Sequence, residues 1–107
     1  MKQTVLSCDT LVAGGGIAGI AAALASARSG AKTLLVEKEC VLGGLGTLGL
    51  VTIYLPLCDG MGHQVIYGIG EELLRLSIRR GWQDKYPAPW LEGGTPEEKA
   101  KIRFEVQ

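Results

Sequence analysis

Three glycines near the start of the chain, Gly14, Gly16 and Gly19, form the pattern G-x-G-x-x-G. Between a strand and a helix, the first glycine of this pattern permits a tight turn and the second lets a diphosphate approach the backbone. The third lets the helix pack closely against the strand. The amides at the start of such a helix, together with the positive end of its dipole, suit an anion without any lysine or arginine. The pattern therefore predicts a dinucleotide-binding turn.

A carboxylate follows at the position where such a turn needs one. Glu37 ends the next apolar segment, at the offset of about 20 residues where an acid accepts hydrogen bonds from ribose hydroxyls. An acid there disfavours a 2′-phosphate, so NADP is an unfavourable ligand, whereas FAD and NAD both stay open. The alternative interpretation is a solvated carboxylate at a strand end, paired with Lys38.

The elements around these residues form one βαβ pattern. An apolar, partly β-branched strand is expected over Thr10–Ala13, with a start that could reach back to Val5. An alanine-rich helix over Ile17–Ser29 should end at a left-handed Gly30, and Lys32–Glu37 is a second strand. Strand and helix are apolar nearly all round, which predicts cover on more than one side. The fold class is therefore α/β, with a Rossmann-like right-handed βαβ unit.

The rest of the chain has weaker signals. Residues 43–49 are glycine-rich and predict a loop that another group approaches closely, and an extended segment over 50–57 follows. A helix is expected over Gly68–Arg80. Residues 86–94 read as a turn-rich connector, Thr95–Glu98 as a capping box, and 102–107 as a half-exposed strand.

Composition limits the class of partner. The 107 residues carry no formal net charge, and 47% are hydrophobic. With no basic block, the sequence predicts no nucleic-acid partner, and it has no apolar run long enough for a membrane span. The single Lys2 before three consecutive glycines does not make a convincing secretory signal.

The cysteines and the histidine indicate neither a disulfide framework nor a metal site. Cys8, Cys40 and Cys58 are an odd number at irregular spacing, which favours a reducing compartment and hence the cytoplasm. Cys58 and His63 lie close in sequence, but one histidine and one cysteine fall short of the ligands that zinc requires. No metal is therefore expected.

Three stretches together resemble a known family. They are VAGGGIAGIAAALASARSGAKTLLVEK, LGGLGTLGLV and GHQVIYGIGEELL. The chain resembles the FAD-dependent oxidoreductases of the glutathione-reductase-like flavoprotein superfamily, most closely the broad bacterial family whose signature continues past the ribose acid into a Gly-Gly loop. The sequence departs from that pattern at CVLGG, which replaces a more usual aromatic approach to the glycine pair.

The resemblance implies FAD as the cofactor and a three-layer β/β/α domain in the full protein. Positions that would meet the FAD diphosphate lie at the turn and the start of the helix. They are Gly14, Gly16, Ile17 and Ala18, with Gly19 completing the glycine pattern.

The resemblance assigns five further positions along the cofactor. Glu37 would bind the adenosine ribose, and Lys38 would lie beside the adenine. Gly43 and Gly44 would let their loop pass close to the diphosphate and ribityl chain, and Thr47 would follow them toward the flavin.

Two strands and one crossover helix do not make a self-sufficient sheet. We therefore expect residues 1–81 to be the amino-terminal part of an FAD/NAD(P)-binding domain, and 82–107 a connector and the start of a substrate region. On this interpretation the chain is the amino-terminal portion of a longer protein and requires the remainder. Trp82 and Trp90 would line a pocket or, more in keeping with their size, anchor local packing.

The predicted activity is hydride or electron transfer through FAD to a small-molecule substrate that the sequence does not identify. Two alternatives stay open: an NAD-dependent dehydrogenase, and a non-catalytic dinucleotide-binding module. No catalytic dyad is assignable in LPLCDGMGH, so the catalytic residues are unknown.

Overall fold

The computed structural model describes residues 1–51, 57, 59, 61, 63–80 and 88–101. The chain divides into two compact units, Met1–Val51 and Thr52–Gln107.

The first unit is the expected βαβ arrangement. Strand β1 spans Thr10–Ala13, helix α1 spans Ile17–Arg28, and strand β2 spans Thr33–Val36. The strands pair in parallel, in a register that places Thr10 opposite Thr33 and Ala13 opposite Val36. The α/β class and the Rossmann-like unit predicted from the sequence are therefore confirmed.

Helix α1 ends one residue before the predicted Ser29. Ser29 follows the last helical residue, and its N–H donates to the Ala25 carbonyl oxygen at 3.1 Å. Gly30 comes next with φ +93°, and its N–H donates to the Ala27 carbonyl oxygen at 3.0 Å. A residue without a Cβ adopts this left-handed conformation without steric cost, which explains the glycine at the end of the helix.

The cover of this unit is thinner than its apolar sequence predicts. No residue of α1 is buried, and Leu11 and Val36 of the strands are 60% and 50% exposed. Within this unit α1 packs on β1 and β2. The expected cover on more than one side is not met by this unit alone, because one helix can shield only one face of the strands.

The second unit is helical in its described part. Helix α2 spans Ile69–Arg80, α3 spans Ala88–Leu91 and α4 spans Pro96–Lys101. The helix expected over residues 68–80 is confirmed, with acidic residues in its first turn and basic residues in its last, as the helix dipole favours. The connector expected over 86–94 contains the short helix α3.

The predicted capping box at the start of α4 is present. The Thr95 N–H donates to Glu98 Oε2 at 2.9 Å, and the Glu98 N–H donates to Thr95 Oγ1 at 3.3 Å. Pro96 occupies the first helical position, where its missing N–H costs nothing. Residues 52–56 of the predicted extended segment, Trp82 and the strand expected over 102–107 lie outside the described residues.

Across the described residues, no helix combines the length and apolar character that crossing a bilayer requires.

Candidate dinucleotide-binding site

The turn between β1 and α1 is built by the first two glycines of the pattern. Gly14 has φ +105°, and its N–H donates to the Val36 carbonyl oxygen at 2.7 Å, which extends the pairing of the strands by one step. Gly16 precedes α1 in an extended conformation, and its carbonyl accepts the Ile20 N–H at 2.9 Å. The amides of the first helical turn before Ile20 therefore have no acceptor within the helix.

The glycines of the pattern lack a side chain for different reasons. A Cβ on Gly19 would collide with the Gly14 carbonyl oxygen, so this glycine lets the helix pack on the turn. A Cβ on Gly16 would meet no protein atom within 4 Å. Packing therefore does not require a glycine at position 16, and its missing side chain leaves open space in front of the helix.

The Glu37 carboxylate is held by backbone amides. Its Oε2 accepts the Gly15 N–H at 2.6 Å, and its Oε1 accepts the Glu39 N–H at 3.0 Å. Lys38, with its side chain 87% exposed, has its ammonium 3.6 Å from a carboxylate oxygen of Glu39. The alternative in which Glu37 serves as the ion-pair partner of Lys38 is therefore not what the structure shows.

These amides keep the Glu37 carboxylate ionised. The Glu39 N–H has the largest effect and the Gly15 N–H the next, and together they lower the pKa of Glu37 below its ordinary value. Each oxygen of an ionised carboxylate has two acceptor positions, and the amides occupy one on each oxygen. The remaining positions suit the two hydroxyls of a ribose.

The second glycine loop lies against the first turn. The Gly43 N–H donates to the Gly15 carbonyl oxygen at 2.8 Å, and Gly16 and Gly43 form an isolated parallel bridge. A Cβ on Gly44 would lie 3.2 Å from the Gly16 Cα, closer than ordinary contact. The structure thus brings together two glycine segments that are far apart in sequence.

Two other predicted residues occupy the helix start. Ile17 and Ala18 begin α1, and Ile17 is 49% exposed. A one-turn 3₁₀ helix over Gly44–Gly46 follows the second glycine pair, and a Cβ on Gly46 would lie 3.1 Å from Ile17 Cδ1. The loop thus also contacts the first residue of α1.

Thr47 directs its hydroxyl into its own loop. Its Oγ1 donates to the Leu42 carbonyl oxygen at 2.8 Å, and the Gly44 carbonyl oxygen lies 3.4 Å away. A contact between Thr47 and a flavin stays a prediction.

Sequence reasoning missed Gly15. This residue is buried, and a Cβ on it would lie 2.5 Å from Leu42 Cδ2 and 3.1 Å from Glu37 Oε2. The signal was available, because Gly15 is the middle of three consecutive glycines. Leu42, immediately before the Gly-Gly pair, was also missed, because its contact with the turn is visible only once the two loops meet.

The second unit contains a pair that the sequence did not reveal. His63 Nδ1 and Asp59 Oδ2 lie 3.1 Å apart, and Asp59 Oδ1 also accepts the Met61 N–H at 2.7 Å. The Met61 N–H is the largest cause that lowers the pKa of Asp59, with hydrogen bonds from His63 adding to it. The pair fixes the orientation of an imidazole that is 62% exposed. No group of three potential metal ligands occurs in the described part of the chain.

The residues around the turn fit the ADP half of a dinucleotide. Gly16 leaves space where a diphosphate needs it, the α1 amides lack helical acceptors, and Glu37 retains acceptor positions for a ribose. None of these three features requires a positive side chain at the turn.

Comparison with known proteins identifies the family. Residues 9–105 match the family described as FAD dependent oxidoreductase. The chain is 33% identical over 78 residues to a thioredoxin reductase of Ureaplasma parvum, an alignment that covers 73% of this chain and 25% of that protein. It is 39% identical over 55 residues to a 4-oxocyclohex-2-ene-1-carboxylate 5-dehydrogenase of Sinomonas cyclohexanicum, covering 51% of this chain and 9% of that enzyme.

No solved structure matches the chain. The chain spans about a quarter of the length of the thioredoxin reductase and less than a tenth of the length of the dehydrogenase. Because the family match extends over nearly all of its residues, the chain belongs to the FAD dependent oxidoreductase family, and FAD is its cofactor.

Proposed function

We propose that this chain holds the diphosphate and the adenosine ribose of FAD in an oxidoreductase that transfers hydride or electrons to or from a small molecule. The observation that carries the proposal is the open space in front of Gly16. That space lies at the amino-terminal end of α1 and beside the Gly43–Gly44 loop.

Each part of the site has a separate task. The first amides of α1 and the helix dipole stabilise the negative charge of a diphosphate. Glu37 accepts ribose hydroxyls while Gly15 and Glu39 hold its carboxylate in place. When bound, FAD supplies the hydride or electron chemistry, and the protein supplies binding, orientation and electrostatics.

The residues that bind the substrate and the catalytic residues are proposed to lie in the remainder of a longer chain. A small-molecule substrate, a cytoplasmic location, and the absence of nucleic-acid and membrane partners complete the proposal. The balanced charge of the sequence supports the proposed absence of a nucleic-acid partner, and the free thiols of Cys8 and Cys40 are in keeping with a reducing compartment.

Gly16→Val tests the site in the full-length protein. A valine at this position meets no protein atom near its Cβ, and the φ of −67° suits any residue, so folding should be retained. Its side chain would occupy the proposed diphosphate position, so the variant should purify without flavin absorbance. Ala22→Val, which places the same side chain at an exposed position of α1, is the matched control and should keep wild-type flavin content. Normal flavin content in Gly16→Val would contradict the proposed site.

The same preparation separates the two alternatives. A flavin colour that stays with the wild-type protein through gel filtration supports the FAD-binding enzyme, whereas a colourless protein that binds NAD would indicate an NAD-dependent dehydrogenase. Anaerobic addition of reduced nicotinamides and small organic acids should bleach the flavin with at least one compound. A retained flavin that none of them bleaches would favour a non-catalytic module.

A further inference from the structure

We propose that Thr47 is a positioning residue whose hydroxyl closes the second glycine loop and holds it on the diphosphate turn. The effect on FAD rests on the proposed function, whereas the effect on the loop does not. This role differs from a direct contact with the flavin.

The hydroxyl joins the two ends of the loop. Thr47 Oγ1 donates to the Leu42 carbonyl oxygen, 2.8 Å away, across the glycine pair. A threonine hydroxyl has one proton, so the more distant Gly44 carbonyl, at 3.4 Å, is the weaker of the two acceptors. The donor capacity of Thr47 is therefore engaged by its own loop.

The remainder of the side chain packs in space that Gly43 leaves open. Gly43 has φ +111°, and a Cβ there would collide with Thr47 Cγ2 and lie 2.6 Å from Thr47 Oγ1. Two backbone bonds complete the turn: the Gly46 N–H donates to the Gly43 carbonyl at 3.0 Å, and the Leu48 N–H donates to the Gly44 carbonyl at 2.9 Å. The threonine and the glycine thus fit each other.

The closed loop acts on the proposed cofactor site through Gly43. The Gly43 N–H donates to the Gly15 carbonyl oxygen at 2.8 Å, and the Gly15 N–H donates to Glu37. A loop released at Leu42 would weaken the bond to Gly15 and let the glycine pair move away from Gly16. Thr47 therefore positions the turn without contacting the diphosphate.

The test compares Thr47→Val with Thr47→Ser in the full-length protein as purified. Valine keeps the branched shape without the hydroxyl, and serine keeps the hydroxyl without the methyl group. Hydrogen exchange followed by mass spectrometry reports on peptides that contain residues 42–49. Thr47→Val should raise their exchange about tenfold, the effect of losing one hydrogen bond, and should speed FAD release, while Thr47→Ser should stay near wild type in both.

The outcomes separate the two roles of Thr47. Faster FAD release from Thr47→Val with unchanged exchange would indicate a flavin contact and overturn the positioning role, as would unchanged values in both measurements. If Thr47→Val does not fold, Thr47→Ala provides the same comparison with serine. A wild-type protein that holds no FAD would contradict the proposed function, yet raised exchange in Thr47→Val would still support the closure of the loop.

Discussion

The Glu37 carboxylate and the Gly15 amide, 22 positions apart, form a hydrogen bond of 2.6 Å that joins the end of β2 to the turn before α1. The other oxygen of the same carboxylate accepts the Glu39 N–H. Glu37 thus joins the turn before α1 to the backbone that follows β2.

Glu37→Gln tests the carboxylate at an unchanged side-chain length. A carboxamide has one acceptor oxygen, so its NH₂ group must face either the Gly15 or the Glu39 amide, and two donors then oppose each other. We expect both Glu37→Gln and Glu37→Ala to weaken FAD binding by about ten- to a hundredfold, the scale for charge-assisted hydrogen bonds. Titration of the full-length protein with FAD measures this.

Glu37→Asp is the matched control for charge. It keeps the carboxylate on a side chain that is one methylene shorter. If the negative charge matters more for binding than the length of the side chain, Glu37→Asp should bind FAD more tightly than Glu37→Gln. Affinities at the wild-type level in both Gln and Ala variants would mean that the carboxylate serves neither the turn nor the ribose.

The lowered pKa of Glu37 predicts how the site responds to acid. A carboxyl whose pKa is lower in the folded state stabilises that state above its unfolded pKa, near 4.5, and this stabilisation is lost as the pH falls through the lower folded value. FAD retention should therefore be constant from pH 7 to about 5 and fall below about pH 4.5. Flavin release measured from pH 7 to 3.5 checks this prediction. The part of the loss of FAD that comes from protonation of Glu37 should be missing in Glu37→Gln.

The sequence predicted local structure correctly where a residue type meets a requirement of the backbone at that position. Gly30 needs a positive φ after a helix, and Thr95 and Glu98 have the spacing of a capping box, so both predictions were confirmed. The glycine pattern and Glu37 were found in the same way, because their spacing is set by one βαβ unit.

The contacts that the sequence did not reveal depend on loops meeting in space. Gly15 became significant only because Leu42 and Glu37 pack where its side chain would be. The hydrogen bond from Thr47 to Leu42 depends on the path of a loop, and the Asp59–His63 contact depends on a turn. Loops and turns do not follow a periodic sequence pattern. Within the first unit α1 has less cover than predicted, since an apolar side chain shows that burial is favourable and not which neighbour supplies it.

The capping box of α4 should contribute to local stability. Thr95→Ala removes the acceptor of the Glu98 N–H and should destabilise the helix by about 0.5–2 kcal/mol. Glu98→Gln is the control, because glutamine also returns a side-chain oxygen to the Thr95 amide. Hydrogen exchange of peptides from 95–101 should rise in Thr95→Ala and stay close to wild type in Glu98→Gln. Equal protection in both variants would mean that tertiary contacts, and not the cap, hold this helix.

Gly19 and Gly70 should respond in opposite directions to the same substitution. Both are helical glycines, and alanine in a helix interior is favoured over glycine by up to about 1 kcal/mol. A Cβ on Gly70 would lie 3.8 Å from Ile66 Cγ2, an ordinary contact, so Gly70→Ala should be neutral or slightly stabilising. A Cβ on Gly19 would collide with the Gly14 carbonyl oxygen, so Gly19→Ala must displace the turn and should destabilise the protein by roughly 1–3 kcal/mol.

Denaturant unfolding of the full-length protein measures both Gly→Ala variants, and flavin content shows whether the turn has moved. Gly19→Ala should lose flavin even under conditions where it stays folded, because its collision lies at the turn that the diphosphate needs. Gly70→Ala should keep its flavin, since its added Cβ makes only an ordinary contact with Ile66. A stabilised Gly19→Ala with full flavin content would mean that α1 lies farther from the turn than the structure shows.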